Sequence, residues 1–119
     1  MQDRKEFAHR LIKFSLNLIK FCSKIRKISD LLVVADQLLR SGTSIGANII
    51  EAKASSSKKE FIKYYLIALK SSNETQYWLI LIKEANSGLA NEAEELLREC
   101  IEISNIIGSS VVTMRKNNE

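Results

Sequence analysis

Five polar side chains, Gln37, Ser41, Ser44, Asn48 and Glu51, recur at spacings of 4, 3, 4 and 3. On a helix such residues form a line along one face. A following antiparallel helix sets Ser71 and Glu74 opposite that line, with Ser41 near Ser71, Gln37 near Glu74 or Thr75, and Asn48 near Tyr64. Two chemistries fit. Carboxylates at Glu51 and Glu74 among hydroxyls are the residue types of general acid and base catalysis. The same residues can instead satisfy one another as an inward hydrogen-bond network that fixes helix register, because a buried polar group left unpaired costs about 1–3 kcal/mol. The network is the reading favoured here.

The rest of the chain gives little support to catalysis or metal binding. A di-metal carboxylate bundle needs a Glu-x-x-His motif on each of two helices, and the single histidine, His9, stands in a different segment from both glutamates. Cys22 and Cys100 form no CxxC pattern and read as buried thiols. The run Ser41–Asn48 looks at first like a phosphate loop, but a GxxxxGK[ST] loop needs lysine after its last glycine, and Gly46 is followed by Ala47. No cofactor, metal site or enzymatic activity is expected.

Cations form the second pattern. Arg10, Lys13, Lys20 and Lys24 lie at spacings of 3, 7 and 4, continued by Arg26 and Lys27, and a second group comprises Lys58, Lys59, Lys63 and Lys70. Residues 1–83 carry 15 Lys and Arg against 7 Asp and Glu, whereas residues 84–119 carry 3 against 7. The basic excess therefore sits in the first three quarters. Repeated around a symmetric oligomer, such patches would suit the phosphate backbone of RNA or DNA without reading bases.

These residues need rigid elements to position them. A chain of 119 residues fits one domain over residues 1–119, and the complete lack of proline suits long unbroken helices. Phe7, Leu11, Phe14, Leu18, Phe21 and Ile25 keep one face of a helix over about 4–26. Leu31, Ala35, Leu38, Gly42, Ile45, Ile49 and Ala52 carry a second helix over about 30–54, in unbroken phase through its two glycines and with Ser29 as N-cap. Ser57 and Glu60 form a capping box for a third helix over 58–85, whose seam is Phe61, Tyr65, Ala68, Ser72, Thr75, Leu79 and Ile82. Asn91 with Glu94 repeats that pattern in a fourth helix over 89–115, carrying Leu89, Ala93, Leu96, Cys100, Ile103, Ile107 and Met114. Short connections make neighbours antiparallel, so the expected fold is an all-α, up-and-down four-helix bundle.

The third helix has a second stripe: Ile62, Leu66, Leu69, Asn73, Gln76 and Ile80. A helix apolar over most of its circumference is normally buried on more than one side. This stripe is therefore expected to face a neighbouring copy in a homo-oligomer.

The segment from Gln37 to Ala52 and the "SSSKKEFIKYYLIALKSSNE" that follows resemble the signature of the 23S rRNA intervening-sequence proteins, a four-helix bundle family. The matching positions are Gln37, Arg40, Ser44, Ile45, Ala47, Asn48, Glu51, Ser57, Lys58, Glu60 and Phe61, with Ser71 and Glu74 later. Gly46 stands where the family usually has proline, and Ala52 where it usually has glycine. The resemblance implies a ring-like homopentamer and kinship with the accessory protein of diversity-generating retroelements, a basic pentamer that partners a reverse transcriptase and nucleic acid.

The expectation is a non-enzymatic oligomeric scaffold that engages RNA or nucleoprotein through basic patches; the alternative is a protein-interaction module with no nucleic-acid contact. The longest uncharged run near the end, Ile103–Met114, is 12 residues, short of the roughly 20 a membrane span needs. With mixed charges at the start instead of a secretory signal, the chain is expected in the cytoplasm, away from membranes.

Overall fold

The computed structural model describes residues 4–117. They form four α-helices, α1 (Arg4–Ile25), α2 (Leu32–Lys53), α3 (Lys58–Ala85) and α4 (Ala90–Lys116), with 3₁₀ turns at Ser29–Leu31 and Ser87–Leu89 leading into α2 and α4. No strand occurs among the described residues. α1 packs on α2 and α4, and α3 packs on the same two helices. The product is an up-and-down bundle of 49 × 21 × 21 Å.

The core is built from the stripes that the 4, 3 spacing predicts. Leu18 and Ile25 of α1, Leu38 and Ile45 of α2, Leu79 and Ile82 of α3, and Ile103 and Ile107 of α4 are completely buried. In α4 the buried residues depart from the expected seam at two places. Leu97 and Val111 are buried, while Leu96 and Met114 are only half-buried. A strict 4, 3 repeat assumes 3.5 residues per turn, and a straighter helix with 3.6 drifts by about 20° per heptad.

Helix entry also differs from expectation. Ser29 does not cap α2: the chain enters through the 3₁₀ turn, with Leu31 at the cap position and no side-chain bond. Asn91 lies inside α4, and Asn86 instead accepts from the Gly88 amide at 2.9 Å. Ser29 is thus the first residue of a 3₁₀ turn that precedes α2, whereas at α4 the turn and the helix both begin before Asn91. The Ser57 cap holds, its hydroxyl accepting from the Glu60 amide at 3.1 Å, and the Glu60 carboxylate accepts from the amide of Ser56 at 3.3 Å.

Gly42 has a steric role. A Cβ there would stand 1.9 Å from Leu18 Cδ2 of α1, whereas one at Gly46 would meet nothing closer than Leu11 Cβ at 3.7 Å. Gly42 is thus where α1 and α2 approach most tightly of the two. Gly108 of α4 faces open space.

Candidate functional site

The α2 polar line faces α3, one helical turn out of the expected register. Ser41 Oγ lies 3.0 Å from Thr75 Oγ1, and the Ser71 hydroxyl donates to Ser44 Oγ at 3.1 Å. Ser41 therefore meets Thr75, not Ser71. Asn48 turns back within α2, donating to the Ser44 carbonyl at 2.8 Å and to Ser44 Oγ at 3.0 Å. At the other end Arg40 links two of the named residues. It donates to Gln37 Oε1 at 3.0–3.1 Å and pairs with Glu74, which also accepts from Trp78 Nε1 at 3.0 Å.

Glu51 is the correction in this group. It is exposed at the far end of α2 and faces no partner carboxylate. Glu74 lies at the level of Arg40, about three turns back along α2 from Glu51, and is held by Arg40 and Trp78. The two carboxylates do not converge, so they form no acid–base pair. Among the described residues, every buried side-chain nitrogen and oxygen has a partner. The interior polar groups are thus spent on each other, as a register-fixing network requires.

The cations of α1 are drawn into ion pairs by α4. Arg10 donates to both Glu99 oxygens at 2.6 and 2.7 Å and lies 3.2 Å from Glu102. The hydrogen bond to Glu99 pushes the already high Arg10 pKa further up, with burial acting against it. Lys24 pairs with Glu92, and Arg26 with Asp36. Lys13, Lys20 and Lys27 remain exposed. Arg10 and Lys24 thus join a mixed-charge seam between α1 and α4, Arg26 is taken by α2, and Lys13, Lys20 and Lys27 lie outside these ion pairs.

The α3 group behaves differently. Lys59, Lys63 and Lys70 line a groove of about 710 Å³ whose floor is Ile62, Leu66 and Ile67, and Arg115 reaches it from the end of α4. Lys58 is exposed beside it. Glu60 is the acid on this groove, and it is occupied with the Ser56 amide. None of Lys58, Lys59, Lys63, Lys70 and Arg115 makes an ion pair among the described residues. Arg115 could not be assigned to this patch from the sequence, because the bundle brings it here from 45 residues beyond Lys70.

The second α3 stripe is only partly turned outward. Ile62, Leu66 and Leu69 are half-buried against the core, and Gln76 is half-buried. The stripe leans toward α4, where Lys83, one turn past Gln76 and Ile80, donates to Glu94 at 3.2 Å. Asn73 and Ile80 are its exposed members. The broader apolar surface lies between α1 and α2: Ile12, Leu16 and Ile19 are 55%, 53% and 46% exposed, and Ile50 54%. Ile12, Leu16 and Ile50 rim a groove of about 240 Å³ that runs over Thr43, Gly46 and Ala47. Their 4, 3 spacing was visible in the sequence, hidden beside the basic line of the same helix.

Burial governs the two thiols. It pushes Cys22 up to about 11, with Arg26 pulling the other way, and Cys100 up to about 12, where the Glu99 charge adds to burial. Neither is a nucleophile near neutral pH. Among the described residues no group of three or more His, Cys, Asp or Glu is set to hold a metal ion, and His9 is exposed.

The model of the family described as 23S rRNA-intervening sequence protein matches residues 5–109. The chain belongs to this family. A crystal structure of a protein of unknown function from the S23 ribosomal protein family of Bacteroides thetaiotaomicron superposes on it with a TM-score of 0.83 at 32% identity. That likeness covers 88% of this chain and 97% of the other. A search of curated proteins gives no match. The 23S rRNA-intervening sequence family match spans α1 to α3 and most of α4, so it includes the groove lysines but stops short of Arg115. No described helix is long and apolar enough to cross a membrane.

Proposed function

We propose that this protein is a non-enzymatic, cytoplasmic homo-oligomeric scaffold, a pentamer by family resemblance, that engages RNA or nucleoprotein through the cationic groove of α3 and α4. One observation carries the reading: Lys59, Lys63, Lys70 and Arg115 converge on one groove with no ion pair among the described residues, whereas on α1 Arg10 and Lys24 are matched by α4 glutamates and only Lys13 and Lys20 of the basic line stay unmatched. Unpaired cations facing the same way create a field that attracts a polyanion, and repeating them around an oligomer adds those fields. The copies meet through the α1–α2 face, where four large apolar side chains are about half exposed.

The test is a mobility-shift series with RNA at rising salt. Binding should be measurable at low salt and fall steeply as salt rises. Replacing Lys59, Lys63 and Lys70 by glutamine should weaken binding and reduce the log–log salt slope by about 2–3, close to one unit per phosphate contact. The same number of glutamines at Lys13, Lys20 and Lys24 should do less. No binding to RNA at low salt removes the proposal, and pull-down partners that survive nuclease treatment would favour a protein-interaction module instead.

A further inference from the structure

The outward face of α3 carries more than positive charge. Lys59, Lys63, Ile67, Lys70 and Tyr77 fall at spacings of 4, 4, 3 and 7, which places all five within one side of the helix. All five are exposed, Tyr77 at 55%. At about 1.5 Å rise per residue, the track from Lys59 to Tyr77 is about 27 Å long. Its first half is the groove with the apolar floor of Ile62, Leu66 and Ile67. Its far end is an aromatic ring braced from behind: Tyr77 meets Trp78 edge-on at 5.1 Å, and the Trp78 indole is itself held by Glu74.

A polyanion that offers only phosphates uses the lysines and nothing else. A duplex is such a ligand, because its bases are stacked inside. An unpaired strand brings phosphates and bare base faces together, and bases gain from an apolar floor and from an exposed aromatic ring. Of the acids along this face, Glu74 is paired with Arg40, and Glu60, which accepts from the Ser56 amide, is one negative charge against the four cations of the groove. We infer that α3 is a track for single-stranded nucleic acid, with Lys59, Lys63, Lys70 and Arg115 on phosphates, the Ile62–Ile67 floor under the first bases, and Tyr77 stacking on a later base. This rests on the nucleic-acid reading above and narrows it to one ligand class.

Fluorescence anisotropy with three probes of matched phosphate number separates the two ideas: an unstructured oligouridylate, a duplex RNA, and inorganic polyphosphate. At one salt concentration the single strand should bind about tenfold tighter than either of the others. Tyr77→Ala should lower single-strand affinity on the order of tenfold and leave the salt slope and the duplex affinity unchanged, and Tyr77→Phe should keep wild-type binding. Circular dichroism melts of both variants show whether either has lost the fold, and Ile67→Ser supplies a second test that does not depend on the Tyr77–Trp78 contact. Equal binding of all three probes, with Tyr77→Ala and Ile67→Ser both neutral, overturns the single-strand track and leaves the scaffold reading standing. No binding of any probe at low salt overturns both.

Discussion

Gly42→Ala tests whether the α1–α2 approach is as tight as the geometry makes it. Two effects oppose each other. Alanine is about 1 kcal/mol better than glycine inside a helix, and this gain applies at any helical glycine. At Gly42 the new methyl carbon would fall 1.9 Å from Leu18 Cδ2, and Leu18 is completely buried, so its side chain has no solvent to turn into. Overpacking of that kind costs about 1–3 kcal/mol. Gly108→Ala is the internal reference, because a Cβ there meets nothing within 4 Å and only the helix gain remains. Urea melts at fixed protein concentration should place Gly42→Ala about 1–3 kcal/mol below Gly108→Ala, with Gly46→Ala close to the reference, since its nearest neighbour would be 3.7 Å away. Shortening Leu18 to alanine should make the Gly42→Ala change nearly free, a coupling that a double-mutant cycle reads directly. If Gly42→Ala and Gly108→Ala stabilise equally, the contact between α1 and α2 is looser than described and the steric argument is wrong.

Three further predictions follow from single features. Ser57→Ala removes the α3 cap and should cost about 1 kcal/mol in the same melts; no loss would mean that Glu60 alone holds the helix end. The two thiols set an alkaline limit. Their folded pKa values, about 11 and about 12, lie above the ordinary 9.0, so between pH 9 and 11 the unfolded chain loses protons that the folded chain keeps, and stability falls as pH rises. Each thiol contributes at most about 1.4 kcal/mol per pH unit, and a Cys22→Ala, Cys100→Ala protein compared with the parent over this range should show a flatter fall. Leu16→Lys places a charge in the middle of the exposed α1–α2 surface and should lower the native mass seen by light scattering without changing the helical signal; an unchanged oligomer would move the contact elsewhere.

Much of the bundle was legible because burial leaves a periodic trace. All six α1 seam residues and all seven of α2 are buried as their spacing requires. What spacing cannot give is the phase between helices. Ser41 and Ser44 do meet α3, while Glu51 of the same line is exposed, and Ser41 pairs with Thr75 where Ser71 was expected, because spacing within one helix does not set how far its neighbour slides past it. Helix entry was illegible for a related reason. Ser29 and Asn91 have the right side chains for a cap, but the 3₁₀ turns begin the helical path at a place that side-chain type alone does not specify.

Charge was the least legible property, and the reason is geometric. The α1 cations and the α4 glutamates look like separate basic and acidic regions in the sequence, 89 residues apart for Arg10 and Glu99, and an up-and-down bundle lays those two helices side by side. Folding therefore pairs Arg10 and Lys24 of the more conspicuous basic line and leaves the α3 group, whose neighbour at that end is the basic close of α4, without ion pairs among the described residues. The same closure that buries the core thus decides which cations remain free to meet a ligand. An antiparallel four-helix bundle always pairs its first helix with its last, so a chain with basic first and acidic last segments neutralises that seam by construction. On the reading proposed above the anion-binding surface is α3, the helix whose outward side joins lysines without ion pairs, an apolar floor and an exposed tyrosine.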